Sequence, residues 1–197
     1  MKIILTRHGE TIENKKGISQ GWLPGRLSSL GKKQAKLVAK RLKDVRIDII
    51  YTSDLARAHD TAKEIAKFHK NTKLIIDKRI KERSLGVFSG KTREEYNWNS
   101  VPGTLLTKKP KNGESYKELH KRVREFYGML LKKYSDETIL IVSHGGSMRA
   151  LEGIILKKSP SESVKIERLK NAAISEYEID KKGNSKIIRI NCDLHLK

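Results

Sequence analysis

The sequence has few of the features that mark extracellular or membrane proteins. It contains one cysteine, Cys192, so no disulfide can form within the chain and a reducing compartment is expected. The apolar run near the N-terminus, residues 3–5, is too short for a signal peptide, and no stretch approaches the length of a membrane span. These absences predict a cytoplasmic protein without a membrane partner.

Aromatic and acidic residues are also scarce. Three Phe and two Trp offer few platforms on which the bases of a nucleic acid could stack. Asp and Glu number 23 against 43 Lys and Arg, which gives a formal net charge of +20 and a field that attracts anions. The lysines are spread along the chain, as on an ordinary solvated surface. No nucleic-acid partner is therefore expected, although a basic nucleic-acid-binding protein remains the alternative from another functional class.

The order of apolar segments predicts an α/β fold. Short β-branched runs alternate with amphipathic helical patterns, which favours a three-layer α/β/α sandwich with a mostly parallel central sheet and helices on both faces. Ser28 or Ser29 and Ser53 are natural N-caps for two of the helices. The length of 197 residues suits one domain, 1–197. The predicted strands are 3–6, 47–51, 74–76, 139–142 and a final hairpin, 174–179 with 185–191; the predicted helices are 31–43, 54–68, 115–134 and 147–156.

An irregular segment at about 83–113 interrupts this alternation. It is rich in Gly and Pro, and periodic segments flank it closely, so it is interpreted as a functional, lid-like insertion instead of a linker. Lys108, Lys109 and Lys111 cluster within it. We expect these lysines to contact highly charged substrates.

Two apolar runs end in the same dipeptide. The run that starts at Ile4 ends in His8-Gly9, and a run in the last third of the chain ends in His144-Gly145. In a parallel sheet both histidines would follow the carboxyl ends of strands, where open α/β sheets bind ligands. The glycine after each histidine lets the backbone approach a ligand closely. A paired functional role for the two histidines is expected.

Arg57 follows a third predicted strand, in the first turns of the next helix. A cation is electrostatically misplaced at the positive end of a helix unless an anion lies between them. With Arg7 and the two histidines it would form a cationic pocket. Two histidines and a carboxylate could also bind zinc, but two arginines favour a phosphate or sulfate. The residues therefore predict an oxyanion site and no metal.

The motifs together resemble one known family. They occur in the order found in the histidine phosphatase superfamily, which includes the cofactor-dependent phosphoglycerate mutases, and they cover nearly the whole chain. The resemblance implies the phosphoglycerate mutase-like form of the predicted fold. The matching stretches are residues 5–11 (LTRHGET), Asn14, Gln20-Gly21, 27–35 (LSSLGKKQA), 51–58 (YTSDLARA), 82–90 (ERSLGVFSG), 113–115 (GES) and 143–146 (SHGG).

The resemblance also implies a role for each matching residue. His8 would be the nucleophile and form a phosphohistidine. Glu82 would donate a proton to the leaving oxygen, which requires a raised pKa. The other implied contacts are Arg7, Arg57 and His144 to the phosphoryl oxygens, Asn14 as a further phosphate ligand, the backbone N–H of Gly145, and Gln20 and Gly21 at the rim near the substrate.

The family contains both phosphatases and mutases, and this sequence favours the phosphatase branch. The insertion after the acid motif is short and lacks the paired arginines with which such mutases bind the substrate carboxylate, and Gln20-Gly21 is also closer to the phosphatases. The expected activity is that of a histidine acid-type phosphatase, a phosphoric monoester hydrolase that acts on a small phosphorylated metabolite without a cofactor. Mutase-type phosphoryl transfer is the alternative. A homodimer is a further possibility.

Overall fold

All strands of the protein belong to one six-stranded sheet, in the order β3-β2-β4-β1-β5-β6. The computed structural model describes all residues, 1–197. Strands β1 to β4 are mutually parallel where they pair, whereas β5 is antiparallel to both β1 and β6. The mostly parallel sheet predicted from the sequence is confirmed. The strands are β1 (Lys2–Arg7), β2 (Ile49–Thr52), β3 (Lys73–Ile76), β4 (Thr138–Ser143), β5 (Ile174–Ile179) and β6 (Ser185–Cys192).

Helices cover both faces of this sheet. Alternate residues of a strand point to opposite faces, and in β1 Ile3 and Leu5 join one apolar cluster while Ile4 joins the other. The first cluster includes the inner sides of α4 and α5, and the second those of α2 and α3. Two cores on one sheet make the three-layer sandwich. The helices are α1 (Ile12–Lys15), α2 (Ser29–Leu42), α3 (Ala56–Ala66), α4 (Tyr116–Lys133), α5 (Gly145–Ile155) and α6 (Pro160–Ser163).

Three helix starts, those of α2, α3 and α5, differ by two residues from the predictions, and the last two lie at the candidate site. Ser28 caps α2 as expected. Helix α3, however, begins at Ala56 after Leu55, and the Ser53 hydroxyl accepts a hydrogen bond from the Leu55 N–H (3.1 Å) instead of capping the helix. Helix α5 begins at Gly145, two residues before the predicted start. Gly145 and Gly146, which disfavour a helix in a prediction from sequence, lie in the first turn of α5, where glycine costs the helix little stability.

The parallel register brings three strand ends to one edge. Arg7 at the end of β1 lies opposite Ser143 at the end of β4, and Thr52 of β2 is in register with Val142 of β4. The next residue of each strand continues the ladder: the His8 N–H donates to the Ser143 carbonyl (3.0 Å). His8, Ser53 and His144 are thereby brought to the same edge of the sheet.

The segment at 83–113 has two short 3₁₀-helices, Gly86–Phe88 and Trp98–Ser100. It is attached to the body of the protein through a β-bridge between Ser19 and Lys91. Within the segment, the Arg83 guanidinium lies over the Trp98 ring at 4.8 Å. We propose that residues 1–197 form one domain, because every strand joins one sheet, and that this segment acts as its lid.

A buried carboxyl group in α5 makes stability depend on pH. Glu152 is 2% exposed, and the Tyr177 hydroxyl donates to its Oε1 (3.0 Å). Burial raises the pKa of Glu152, although hydrogen bonds from Ser175 and Tyr177 oppose the rise. A carboxyl whose folded-state pKa is raised contributes stability below its unfolded pKa, about 4.3 for Glu, and that stability is lost as pH rises through the folded-state pKa.

We therefore expect Glu152→Gln to unfold at a higher temperature than the wild-type protein at neutral pH. The amide is never ionised, so the difference in midpoint between variant and wild type should grow as pH rises from about 4.3 toward 7. Thermal unfolding followed by circular dichroism at several pH values measures this. A difference that stays constant over the range would contradict the expectation.

Candidate active site

A cavity of about 670 Å³ opens at the sheet edge where β1, β2 and β4 end. It brings together most of the site residues predicted from the sequence, although they lie far apart in the chain. His144 and Gly145 do not line the cavity. The ring centroids of His144 and His8 are 5.2 Å apart, however, so the His144 ring lies directly behind the cavity wall. The predicted residues that line the cavity are Arg7, His8, Asn14, Gln20, Gly21, Arg57 and Glu82.

His8 is held as a neutral imidazole with one free ring nitrogen. Its Nδ1 donates to the carbonyl of Gly9 (2.7 Å), which requires the proton on Nδ1 and leaves a lone pair on Nε2. Burial, together with the charges of Arg7 and Arg57, holds the pKa of His8 well below its usual range, against a smaller opposing effect of the Gly9 hydrogen bond. The Asn171 amide donates to the His8 carbonyl (2.9 Å) and fixes the backbone. Nε2 is therefore available as a nucleophile at neutral pH.

His144 has one paired and one unpaired ring nitrogen. Its Nε2 lies 2.8 Å from the Ser53 hydroxyl oxygen, which also accepts the Leu55 N–H. Its Nδ1 is buried without a hydrogen-bond partner. Burial and the charge of Arg57 hold the pKa of His144 well below its usual value. Ser53, predicted only as a helix cap, fixes the orientation of this ring.

The two predicted arginines carry charge that no carboxylate contact offsets. Arg57 is 1% exposed; its Nη1 donates to Leu23 O and its Nη2 to Gly21 O (2.9 Å). Arg7 Nη1 donates to Leu169 O (3.2 Å). The Nε atoms of both side chains are buried without a partner. Burial lowers the pKa of Arg57 to about 10, so it stays charged at neutral pH. Unpaired buried donors beside His8 are typical of an oxyanion site.

Glu82 lies against the N-terminus of α5, where its carboxylate accepts N–H groups of Arg83 (2.8 Å) and Gly146 (3.1 Å). A Cβ at residue 146 would collide with Glu82 Oε1, so any side chain there would displace the carboxylate. Burial raises the pKa of Glu82, but Arg168, these two N–H groups and Arg57 outweigh burial and place it below its usual value. The raised pKa that a proton donor needs is therefore not present in the free protein, because arginines and backbone N–H groups stabilise the carboxylate.

The remaining predicted residues occupy the near wall of the cavity. Asn14 Oδ1 accepts the Thr11 N–H (3.2 Å), so its amide nitrogen is left as the free donor. Gln20 Nε2 donates to Thr11 Oγ1 (2.8 Å), which fixes this buried side chain in the cavity wall. Gly21 has φ +51, and a Cβ there would lie 2.9 Å from the Leu85 nitrogen. Gly21 thus has a backbone reason to be glycine beside any contact with substrate.

Gly145 is the first residue of α5, where backbone N–H groups have no partner within the helix. A Cβ at this position would lie 3.6 Å from Arg7 Nε and 3.5 Å from Arg168 Cδ. Its backbone is therefore beside the two cationic side chains, in a position to contribute an N–H to a bound oxyanion.

Three residues that line the cavity were not predicted from the sequence, and the lysines expected to contact the substrate do not line it. Arg149, Arg168 and Tyr116 line it, although they lie outside the motifs. The lid lysines do not: Lys109 forms an ion pair with Glu118 (2.6 Å), and Lys108 donates to the Trp98 carbonyl (3.3 Å). Arg149 lies one helical turn after Gly145, and this spacing could have predicted that it faces the site. Arg168 precedes β5, and no pattern in the sequence predicts that it lines the cavity.

The site is a cationic cavity built around a neutral histidine, and comparisons with known proteins identify the family of the chain. The family model for the histidine phosphatase superfamily (branch 1) matches residues 3–193. The chain belongs to this superfamily.

Its relatives include phosphatases and a protein named as a mutase. Phosphoserine phosphatase 1 of Hydrogenobacter thermophilus is 35% identical over 100% of this chain and 94% of its own. A probable phosphoglycerate mutase of Yersinia enterocolitica is 34% identical over 90% of this chain and 85% of its own. The structure of a mycobacterial glucosyl-3-phosphoglycerate phosphatase in complex with VO3 superimposes with a TM-score of 0.87, at 26% identity over 98% of this chain and 99% of that one.

Proposed function

We propose that the protein is a phosphomonoesterase that hydrolyses a small phosphorylated metabolite through a phosphohistidine at His8. The observation that carries the proposal is a set of buried nitrogens without hydrogen-bond partners on side chains next to His8: Arg7 Nε, Arg57 Nε and His144 Nδ1. These groups supply positive charge and hydrogen bonds to a phosphoryl group without a metal ion. The relatives named phosphatases support the same class, a phosphoric monoester hydrolase.

In the first step, His8 Nε2 attacks the phosphorus and the bond to the leaving oxygen breaks. Arg7, Arg57 and His144 bind the three phosphoryl oxygens, while Asn14 and the Gly145 N–H add further hydrogen bonds. Positioning and charge stabilisation of this kind provide most of the catalysis in phosphoryl transfer. Glu82 gives its proton to the leaving oxygen. In the second step, ionised Glu82 takes a proton from water, and the resulting hydroxide attacks phosphohistidine to release phosphate and free His8.

The proton on Glu82 arrives with the substrate. In the free protein Arg168 and Arg57 help to hold the pKa of Glu82 low, so the carboxyl is ionised at neutral pH. A bound phosphate offsets the charge of the arginines and repels the carboxylate, which raises the pKa of Glu82 in the complex. A monoanionic ester, whose second pKa is near 6, can supply that proton.

A mutase is the second candidate, since the relatives include a protein with that name. Against it, segment 83–113 has no pair of adjacent arginines, and a mutase must keep its phosphohistidine from water. Phosphoserine is among the first substrates to assay, because the Hydrogenobacter relative is named for it. The finer designation as a histidine acid-type phosphatase remains a prediction.

Three other expectations also remain predictions: cytoplasmic location, the absence of nucleic-acid binding, and a homodimer. No helix of the protein combines the length and apolarity needed to cross a membrane. The structure also contains no cluster of three or more His, Cys, Asp or Glu side chains suited to a metal ion.

We expect hydrolysis of phosphate monoesters to persist in excess EDTA, because arginines and a histidine supply the charge that a metal would otherwise provide. Vanadate, which mimics the pentacoordinate phosphorus, should inhibit at low concentration. The measurement is release of inorganic phosphate from a panel of phosphorylated metabolites by chelator-treated protein. Activity that disappears with EDTA and returns with zinc or magnesium would refute the proposal.

A further inference from the structure

A second group of cations lies on the Glu82 side of the cavity. Arg149 of α5 and Arg168, which precedes β5, line the same cavity as Glu82. Arg149 Nη1 donates to the Val164 carbonyl (2.9 Å), while its Nε is buried and unpaired. Neither side chain is among the arginines that form ion pairs, which are Arg46, Arg79, Arg122 and Arg189.

Tyr116 completes this group. The side chain is 2% exposed at the start of α4, and its hydroxyl has no hydrogen-bond partner although it lines the cavity. Burial raises the pKa of Tyr116 above its usual value, so the hydroxyl keeps its proton and is a donor at neutral pH. Arg149 and Arg168 are close enough to influence it electrostatically. A buried hydroxyl and a buried guanidinium nitrogen thus both lack an acceptor in the same region.

The charge of the cavity exceeds what one phosphate can offset. Six arginines and one carboxylate line it, and a phosphate dianion offsets two positive charges. Arg7 and Arg57 belong to the His8 side, where the phosphoryl group binds in the proposed reaction. Arg168 is the strongest charged influence on the pKa of Glu82. Glu82, the proposed proton donor to the leaving oxygen, accepts the Gly146 N–H at the start of α5, and Arg149 lies three residues further along that helix. Arg149 and Tyr116 are thus assigned to the leaving-group side, and Arg168, whose Cδ lies beside Gly145, borders both sides.

We propose that Arg149, Arg168 and Tyr116 form a subsite for a second anionic group, a carboxylate or a second phosphate, on the leaving-group half of the substrate. This inference rests on the proposed phosphatase activity and narrows its substrates to phosphate esters of anionic alcohols. The arginines bind the oxyanion through charge-assisted hydrogen bonds, and the tyrosine hydroxyl donates a further one. Binding the second anion also orients the ester oxygen toward Glu82.

The test uses pairs of esters that differ in the second anion. Phosphoserine and phosphoethanolamine differ by one carboxylate; propane-1,3-diol bisphosphate and 3-hydroxypropyl phosphate differ by one phosphate. The wild-type enzyme should prefer the anionic member of at least one pair, and that pair identifies the anion. Arg149→Gln should lower kcat/KM for that member by about 10- to 100-fold, mainly through KM, and for its partner by less than about threefold.

Three further variants make the test specific. Arg168→Gln, at an exposed side chain, tests the subsite without disturbing the core and should reduce the preference in the same direction. Tyr116→Phe should reduce it by about three- to tenfold, the value of one hydrogen bond. Arg124→Gln removes the same charge from the exposed surface of α4, outside the cavity, and should leave the preference unchanged.

The outcomes separate this inference from the proposed function. Equal losses on both members of a pair would show that Arg149 only supports Glu82 or the phosphate site, and would overturn the subsite. A wild-type enzyme that hydrolyses both members equally would also overturn it but would leave the phosphatase proposal intact. Failure of the wild-type enzyme to hydrolyse any ester, p-nitrophenyl phosphate included, would instead refute the proposed function.

Discussion

Replacing His8 with alanine is expected to reduce kcat by on the order of 10⁴–10⁶-fold, as for removal of other covalent nucleophiles. The reason is that His8 has only one ring nitrogen free to react. Its Nδ1 donates a hydrogen bond to the Gly9 carbonyl, so Nε2 is the atom that can attack phosphorus. Steady-state phosphate release measures the loss. Rapid acid quenching with a radioactive phosphate ester should label the wild-type protein with an acid-labile phosphoryl group and leave His8→Ala unlabelled.

The matched control is His59→Ala, which removes a half-buried histidine of α3 that does not line the cavity. This variant should keep its label and its turnover. Labelling that survives in His8→Ala would transfer the nucleophile to His144, whose ring lies 5.2 Å from that of His8. The structure argues against that outcome, because His144 Nε2 is paired with the Ser53 hydroxyl and His144 does not line the cavity.

Glu82→Gln is expected to lower kcat/KM for an alkyl phosphate by on the order of 10²–10⁴-fold. An alkyl ester leaves as an alkoxide of high pKa and needs the proton from Glu82. A p-nitrophenyl ester leaves as a stable phenolate, so its loss should be distinctly smaller. Glutamine keeps the size of the side chain, and its Oε1 can still accept the Gly146 N–H, so the start of α5 should remain in place.

The pH dependence provides a second readout of the same group. Because the pKa of Glu82 is low in the free protein, the productive encounter brings ionised Glu82 and a monoanionic ester together. Wild-type kcat/KM should therefore fall as pH rises through the second pKa of the ester, near 6. In Glu82→Gln this fall should flatten.

Equal losses for the alkyl and the p-nitrophenyl ester would mean that Glu82 positions the site and does not protonate the leaving group. Glu10 and Glu13, which are close to His8 in the sequence, could not then take over the role of proton donor. Glu10 accepts the Ser28 hydroxyl (2.6 Å), Glu13 accepts the Arg26 N–H (3.3 Å), and neither lines the cavity. In that case the proton would have to come from the substrate itself.

The sequence alone determined the main strands and helices and the sheet edge at which the two histidines lie. The apolar runs that precede His8 and His144 are long enough for short strands and too short for helices, and parallel strands align their carboxyl ends. That rule placed the two histidines at one edge without any knowledge of contacts, and it placed Arg57 nearby because its helix follows β2. Helix α4 could be predicted closely, since its apolar spacing and its Ser115 cap agree.

The tertiary structure decided the protonation states and the second anion subsite. The ring of His144 is paired with Ser53, 91 residues away, and the low pKa of Glu82 depends chiefly on Arg168. Arg149, Arg168 and Tyr116 share no motif and no periodicity, and they meet only because α4, α5 and the approach to β5 pack around one cavity. Sequence patterns report local backbone preference and which face of an element is buried. A proton's position depends on the charges and hydrogen-bond partners around it, and here residues remote in the sequence supply most of them.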